Sequence, residues 1–219
     1  MVEVKNIDWQ IGIKEIANKS IDLVVTDPPY GMEFQSNYRK EKHKSIKNDD
    51  NLLWLGEWVK ELKRVVKDEA HIYIFCSWHK VDEFKKQVEK EFNVKNILIW
   101  EKNNTGMGDL EGDYAPKYEM ILFCSNGVKK LNGGRDSNIL KAKRTGNGLH
   151  PTQKPLELIS YLIEKSSVEG DLVLDTFAGS CVTAIASKQK HRNCICFEIE
   201  ESYCKIAQTR LLATQGLMF

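Results

Sequence analysis

Seven short apolar runs, at residues 2–7, 21–25, 71–76, 97–100, 120–124, 172–174 and 194–197, alternate with longer amphipathic segments along the chain. Runs of this length between turn signals read as strands. Between them the apolar positions fall at helical spacing: Leu52, Leu55, Val59, Leu62 and Val66 share one face, as do Leu156, Ile159, Leu162 and Ile163. Pro155 suits the first turn of the second of these helices, and residues 182–189 are also helix-like. Strands that alternate with helices build a parallel sheet covered on both faces. The expected fold is therefore α/β, with one doubly wound, mostly parallel, seven-strand sheet. A chain of 219 residues with 42% apolar side chains can bury a full core, and it carries no repeat, low-complexity tract or long linker. Residues 1–219 are expected to form a single domain.

The formal net charge is +1, so any polyanionic partner must be met by local patches and not by the whole surface. Six cysteines (Cys76, Cys124, Cys181, Cys194, Cys196 and Cys204) form no C-x-x-C pair and mostly lie in apolar runs, which reads as reduced core thiols. Residues 1–6 carry no apolar signal region, and no stretch approaches membrane-spanning length. A soluble, cytoplasmic setting without a membrane partner is expected. His43, His71, His79, His150 and His191 lack metal-ligand spacing with the cysteines, and no metal is expected.

Thr26, Asp27, Pro28, Pro29, Tyr30 and Gly31 follow the run 21–25 directly, where a parallel strand stops and a loop begins. Such loops, at the carboxyl ends of strands in open α/β sheets, bind ligands. A carboxylate acceptor, two prolines that offer carbonyls without N–H groups, and an aromatic face suit a flat ring bearing an NH2 group, such as a nucleobase. Standing alone, the tetrad Asp27 to Tyr30 reads more readily as a strand-terminating turn.

A second constellation lies further along the chain. The run ending in Asp175 leads into Thr176, Phe177, Ala178, Gly179 and Ser180, then the helix-like 182–189, then a second run ending in Glu198. Small residues let backbone approach a ligand at a helix N-terminus, and an acid about 20 residues beyond such a turn commonly accepts ribose hydroxyls. Neither G-x-G-x-x-G nor G-x-x-x-x-G-K-[ST] spacing is present, so a polyphosphate ligand is disfavoured. What remains is a nucleoside with a charged amino-acid tail, S-adenosylmethionine, with Asp175 for its ammonium group and Glu198 for its ribose. The alternative is a plain strand, turn and helix with an incidental acid.

Two segments break the alternation. Residues 35–48 carry Arg39, Lys40, Lys42, His43, Lys44 and Lys47 against Glu41, and residues 126–148 carry Lys129, Lys130, Arg135, Lys141, Lys143 and Arg144 against Asp136, among five glycines. Each reads as a solvated basic loop or as a phosphate-contacting one, and a neighbouring base-sized pocket favours phosphate.

Together these residues resemble the amino-group DNA methyltransferases over nearly the whole chain. The tetrad at Asp27 to Tyr30 precedes the turn at Asp175 to Ser180 with the basic segment between, an order similar to the circularly permuted β group of that family. The segment from His150 through Thr152 and Lys154 to Pro155 resembles a family element that lines the methionine end of the cofactor. Trp100 and Lys102, followed by Tyr114 to Glu119, also resemble the family. Thr176 and Cys181 depart from it, standing where a proline and a second glycine are usual, and Cys181 brings a side chain to a place of close backbone approach.

The resemblance implies a Rossmann-like fold whose cofactor half takes its third strand from residues 2–9. It implies S-adenosylmethionine as cofactor, with S-adenosylhomocysteine as product, held by Asp8, Thr26, Asp27, His150, Thr152, Lys154, Asp175, Phe177, Ala178, Gly179, Ser180, Glu198 and Ile199. It implies catalysis by Asp27, Pro28, Pro29 and Tyr30 on the N6 amine of a flipped-out adenine in double-stranded DNA. Contacts to DNA are expected from Arg39, Lys40, Lys44, Lys102, Arg135, Lys141, Lys143 and Arg144, with 126–148 as a short target-recognition insertion. A homodimer and a cognate restriction enzyme are candidate partners. N4-cytosine methylation and a catalytically weak DNA-binding relative are the open alternatives.

Overall fold

The computed structural model describes residues 1–31, 51–106, 111–144 and 153–215. In chain order the described residues form β1 (Val2–Asn6), a short α1 (Trp9–Gly12), β2 (Ile21–Thr26), α2 (Leu55–Val65), β3 (Val66–Cys76), α3 (Val81–Val88), β4 (Asn93–Glu101), β5 (Tyr118–Asn126) and β6 (Ile139–Lys141). They continue with α4 (Leu156–Ser166), β7 (Leu172–Asp175), α5 (Val182–Gln189), β8 (Asn193–Glu198) and α6 (Glu201–Gln215). The strands join in one sheet of order β1-β8-β7-β2-β3-β5-β4-β6. All neighbours pair parallel except β5, which runs antiparallel to both β3 and β4.

All seven expected strands are present, and β1 does extend the β7–β8 half by pairing with β8. The sheet has one strand more than expected. β6 lies within the basic segment 126–148 and pairs with β4 through Ile99–Ile139, Trp100–Leu140 and Glu101–Lys141. Three residues among glycines and charges give no periodicity from which to read a strand. β3 starts at Val66, not at residue 71, and its charged stretch Lys67 to Glu69 is exposed, so hydropathy alone hides it. Val66 therefore belongs to the strand, while α2 buries Leu55, Trp58, Val59, Leu62 and Val65.

Alternation along the central strands produces the two layers. Val24, Ile72 and Ile74 face one way and pack with Trp58, Val59 and Leu62 of α2 and Phe84 and Val88 of α3. Leu23, Val25, Tyr73 and Phe75 face the other way and pack with Leu158, Ile159, Leu162 and Ile163 of α4, Ala184 of α5 and Ala207 of α6. Successive strand residues point to opposite faces, so a strand buried on both sides reads as a continuous apolar run. Each fully buried chain of this size contributes roughly 1.5–3 kcal/mol. β3 is also tied to the end of α4: the Ser166 hydroxyl lies 2.8 Å from Nδ1 of His71 and 2.7 Å from the Tyr73 hydroxyl. Burial lowers His71 to about 4, which makes it a neutral core group.

One consequence of the topology positions the site. Seven strands run in the same direction, so their carboxyl ends share one edge of the sheet, and the antiparallel β5 brings its beginning to that same edge. Residues just after β1, β2, β3, β4, β6, β7 and β8 therefore stand beside the first residues of β5.

Candidate active site

The small-residue turn after β7 is fixed by its own carboxylates. Asp175 is buried; its Oδ1 accepts from the Thr26 hydroxyl (2.9 Å) and the Phe177 amide (3.1 Å), and its Oδ2 accepts from the Thr183 hydroxyl (2.7 Å). The turn is also pinned to β8. The Ala178 amide donates to the Phe197 carbonyl (2.9 Å), and the Gly179 amide donates to Oε2 of Glu198 (2.7 Å), whose Oε1 accepts from Glu200 (2.8 Å). Gly179 has φ +51, and Cys181 sits in the left-handed region at φ +64, at the N-cap of α5. This conformation is ordinary for glycine and costs other residues about 1–2 kcal/mol. The Cys181 side chain is fully buried, so it points into the core and not into the space above the turn.

Burial pushes Asp175 up to about 6 and Glu198 up to about 7. Among the described residues no lysine or arginine pairs with either. The Ser180 carbonyl accepts from Arg210 of α6 (2.5 Å). Two buried carboxylates without a cation suit a ligand that brings positive charge and hydroxyl donors, and they do not suit a phosphate chain. Asp8 caps α1 by accepting from the Gln10 amide (3.0 Å), and the adjacent Ile7 amide donates to the Glu198 carbonyl (3.1 Å), so Asp8 stands beside Glu198. Ile199, next in the chain, is 38% exposed. His150 and Thr152 lie outside the described residues.

An aromatic wall flanks the turn. The Phe177 ring lies 6.4 Å from Trp9, 5.4 Å from Trp54 and 5.8 Å from Trp58, centroid to centroid. The Trp58 indole N–H donates to the Thr176 hydroxyl (3.0 Å), which joins α2 to the turn. The three tryptophans were not picked out by sequence reading.

On the β2 side, Thr26 is buried and its hydroxyl is bonded to Asp175, which joins the two loops directly. Pro28 and Pro29 are buried, and Gly31 turns the chain at φ +68. The Asp27 carboxylate is partly buried and lies at the centre of a charged cluster. Its Oδ1 accepts from the Tyr30 hydroxyl (2.5 Å), and its Oδ2 lies 2.7 Å from Nζ of Lys154. Lys154 also lies 2.8 Å from Oε2 of Glu119, whose Oε1 lies 2.7 Å from Nζ of Lys102. Burial raises Asp27 above the ordinary carboxylate range, against the pull of Lys154. Burial also acts on Glu119, but Lys154 and Lys102 outweigh it and hold that carboxyl below its usual range. The Tyr30 ring packs edge-on to Phe84 (6.5 Å), and burial, then the neighbouring Asp27, pushes its hydroxyl well up.

Two of the expected contact residues have ionic partners within the protein. The resemblance implied that Lys154 lines the cofactor; its ammonium lies between Asp27 and Glu119. Lys102 was expected at DNA, but its ammonium is paired with Glu119 and lies 5.3 Å over the Trp100 ring. Glu119 was not singled out as a site residue, because nothing in its spacing links it to residues 27, 102 or 154.

The basic segments also divide. Arg39, Lys40 and Lys44 lie outside the described residues. Arg135 stands toward the opposite edge from Asp27, because it precedes β6 and lines a cleft of about 200 Å³ with Lys95, Asn96 and Lys165 of the α4 C-terminal turn. Lys141, Lys143 and Arg144 emerge at the catalytic edge and are exposed. Their backbone is held by the Trp100 indole N–H on the Ala142 carbonyl (2.9 Å), by the Lys143 amide on Glu157 (2.8 Å) and by the Arg144 amide on Asn103 (2.8 Å).

A carboxylate-lined turn of small residues is thus joined through Thr26 to an acceptor tetrad on the neighbouring strand of the sheet. Comparison with known proteins gives the family. A model of the DNA methylase family matches residues 21–209, and the chain belongs to that family. It is 32% identical over 200 residues to YubD of Escherichia coli (strain K12), whose name marks it provisionally as a methylase, covering 91% of this chain and 85% of that protein. It is 29% identical over 236 residues to the DNA adenine methyltransferase YhdJ of the same organism, covering 91% of this chain and 79% of YhdJ. Among solved structures, a complex of M1.HpyAVI with SAM superimposes with a TM-score of 0.74 at 26% identity, covering 96% of this chain and all of that one. No helix among the described residues is long and apolar enough to cross a membrane.

Proposed function

We propose that this chain is a single-domain, cytoplasmic enzyme that methylates the exocyclic N6 of adenine in double-stranded DNA, with S-adenosylmethionine as methyl donor. The observation that carries the reading is the Thr26–Asp175 bond, which fixes an amine-accepting tetrad against a turn whose carboxylates, hydrogen-bonded but without a cation among the described residues, suit a cationic nucleoside. When bound, the cofactor supplies an electrophilic methyl group on a sulfonium. In this reading Glu198 and Asp8 take hydroxyls at the turn, Phe177, backed by the buried tryptophans, packs against the adenine, and Asp175 fixes the turn and opposes the positive charge.

The adenine amine is conjugated into its ring and is a poor nucleophile. Asp27 and the Pro28 carbonyl each accept one of its N–H groups, which localises the nitrogen lone pair and aims it for in-line transfer. With the cofactor held at the turn by Asp175, Glu198 and Phe177, its methyl would pass to the amine nitrogen with release of a neutral thioether, and the surplus N–H proton would pass to solvent. The Tyr30 hydroxyl occupies Oδ1 of Asp27 in this structure, so an arriving amine takes its place and the ring becomes free to stack on the base. A base inside a duplex cannot reach the tetrad, and flipping it out costs a few kcal/mol, which stacking offsets in part.

Adenine is favoured over cytosine by the name of YhdJ. Within the segment 126–148, the exposed Lys141, Lys143 and Arg144 support contact with the duplex in this reading. A homodimer and a cognate restriction enzyme complete the proposal as candidate partners, the first testable by sedimentation. The deciding experiment is transfer of tritiated methyl from S-adenosylmethionine to plasmid DNA, followed by digestion and separation of nucleosides. N6-methyladenine in the wild type and its loss in folded Asp27→Ala and Tyr30→Ala are expected. N4-methylcytosine would reassign the base, and near-normal incorporation by folded Asp27→Ala would overturn the mechanism.

A further inference from the structure

We propose that Lys154 and Glu119 are positioning residues for methyl transfer, and that the chain of ions Lys102–Glu119–Lys154–Asp27 holds the Asp27 carboxylate in place as an amine acceptor. This rests on the reading of Asp27 as the group that receives the amine.

The four charged groups come from four parts of the fold. Asp27 follows β2, Lys102 follows β4, Glu119 lies at the start of β5, and Lys154 stands two residues before α4. They alternate in sign along contacts of 2.7, 2.8 and 2.7 Å, and the cluster sums to zero charge. Lys154 is its centre: the side chain is 9% exposed and lies 5.0 Å over the Phe75 ring, and its ammonium bridges both carboxylates. Burying such ions is expensive, and an apolar cluster of the same volume is often as stable or more so. The arrangement is therefore poorly explained by stability and well explained by orientation.

Geometry gives each member a task. A carboxylate held at one oxygen by a fixed ammonium has its other oxygen pinned in direction. Here Oδ2 faces Lys154 and Oδ1 faces the Tyr30 hydroxyl, the position that the amine takes over. Glu119 fixes Lys154 from behind, and Lys102 compensates the second carboxylate. Only an ionised carboxylate accepts at both oxygens, so the same contacts govern the pH at which Asp27 works. Among the described residues, the groups facing Asp27 are Tyr30 after β2, Lys154 before α4, Glu119 of β5, Cys76 at the end of β3 and Asp175 at the end of β7, with Lys102 behind Glu119. Lys154 favours its charged form, and Glu119 opposes it. Removing each charge should therefore move the acidic limb of the reaction in opposite directions.

The test is the single-turnover rate of methyl transfer to duplex DNA as a function of pH, with cofactor affinity measured in parallel by calorimetry. Lys154→Met is expected to move the acidic limb upward by about one to three pH units, the effect of losing an adjacent opposite charge. Glu119→Gln is expected to move it downward, and Lys154→Arg to restore most of the Lys154→Met loss. Cofactor affinity should change less than about threefold in each, well under the tenfold that 1.4 kcal/mol represents. Limbs that coincide with wild type in folded variants overturn the proposal, as does a Lys154→Met defect confined to cofactor affinity, which would return Lys154 to the cofactor. If Lys154→Met does not fold, Glu119→Gln decides alone, since a downward shift supports the proposal and an unmoved limb overturns it. A wild-type protein that methylates no DNA overturns the reading of Asp27 itself, whereas an active wild type, an inactive Asp27→Ala and unmoved limbs overturn only the present inference.

Discussion

Glu198 shows how one residue can couple the cofactor to pH. Its two oxygens accept backbone amides from Gly179 and Glu200, yet burial still lifts it to about 7. A carboxyl whose folded value lies above its unfolded one is protonated in the folded state at mild acidity, so its ionisation as pH rises to about 7 costs stability in the cofactor-free protein. A cationic ligand reverses that cost. Cofactor affinity is therefore expected to rise between about pH 6 and 8, with proton release on binding, as calorimetry in buffers of different ionisation enthalpy would show. Glu198→Gln should bind about tenfold or more weakly and lose most of this pH dependence, since a hydrogen bond to a charged group contributes about 1.5–3 kcal/mol. At this scale the sequence was informative about identity: Asp27, Asp175 and Glu198 stand out because each follows an apolar run. It was silent about partners. Cys181 reads as an obstruction above the turn, and only the backbone shows that its side chain faces the core while its φ occupies the glycine region.

At the scale of elements, α2 does more than cover the sheet. Trp58 is fully buried in the α2 face and its indole N–H supports Thr176, so the helix holds the turn that follows β7. Trp58→Phe keeps most of the ring and removes one hydrogen bond, while the Thr176 hydroxyl retains its 3.3 Å contact with Thr26. A loss of about 1 kcal/mol in urea unfolding is expected, with weakened cofactor binding as the accompanying sign that the turn has loosened. The spacing of Leu55, Val59 and Leu62 made α2 legible, because an amphipathic helix must place one stripe against the core. The start of β3 and the whole of β6 were not legible. Their residues are exposed or few, and what makes them strands is backbone pairing with β2 and β4, for which a single sequence offers no local signal.

Across the whole molecule, a net charge of +1 coexists with a basic group at one edge. Lys141, Lys143 and Arg144 are exposed where β6 ends beside the β4–β5 edge, and their backbone is fixed by Trp100, Glu157 and Asn103. If each meets one phosphate, log K for DNA should fall with log salt with a slope of about −2 to −3 from this group alone. Replacing all three with alanine should reduce the measured slope by that amount, while Arg135→Ala, toward the other edge, should leave it nearly unchanged. A slope that the triple variant does not alter would make the group an ordinary solvated face. The sequence by itself determined the alternating fold, the cysteine-bearing core, the two candidate ligand loops and their order along the chain, because each is written in local runs of polarity and turn residues. The tertiary structure decided which charges meet. Seven strand ends and the start of an antiparallel eighth share one edge, and this joins residues 27, 102, 119 and 154 into a single buried chain of ions. Coulomb energy and desolvation depend on distance and burial in space, and neither can be read from separation along a chain.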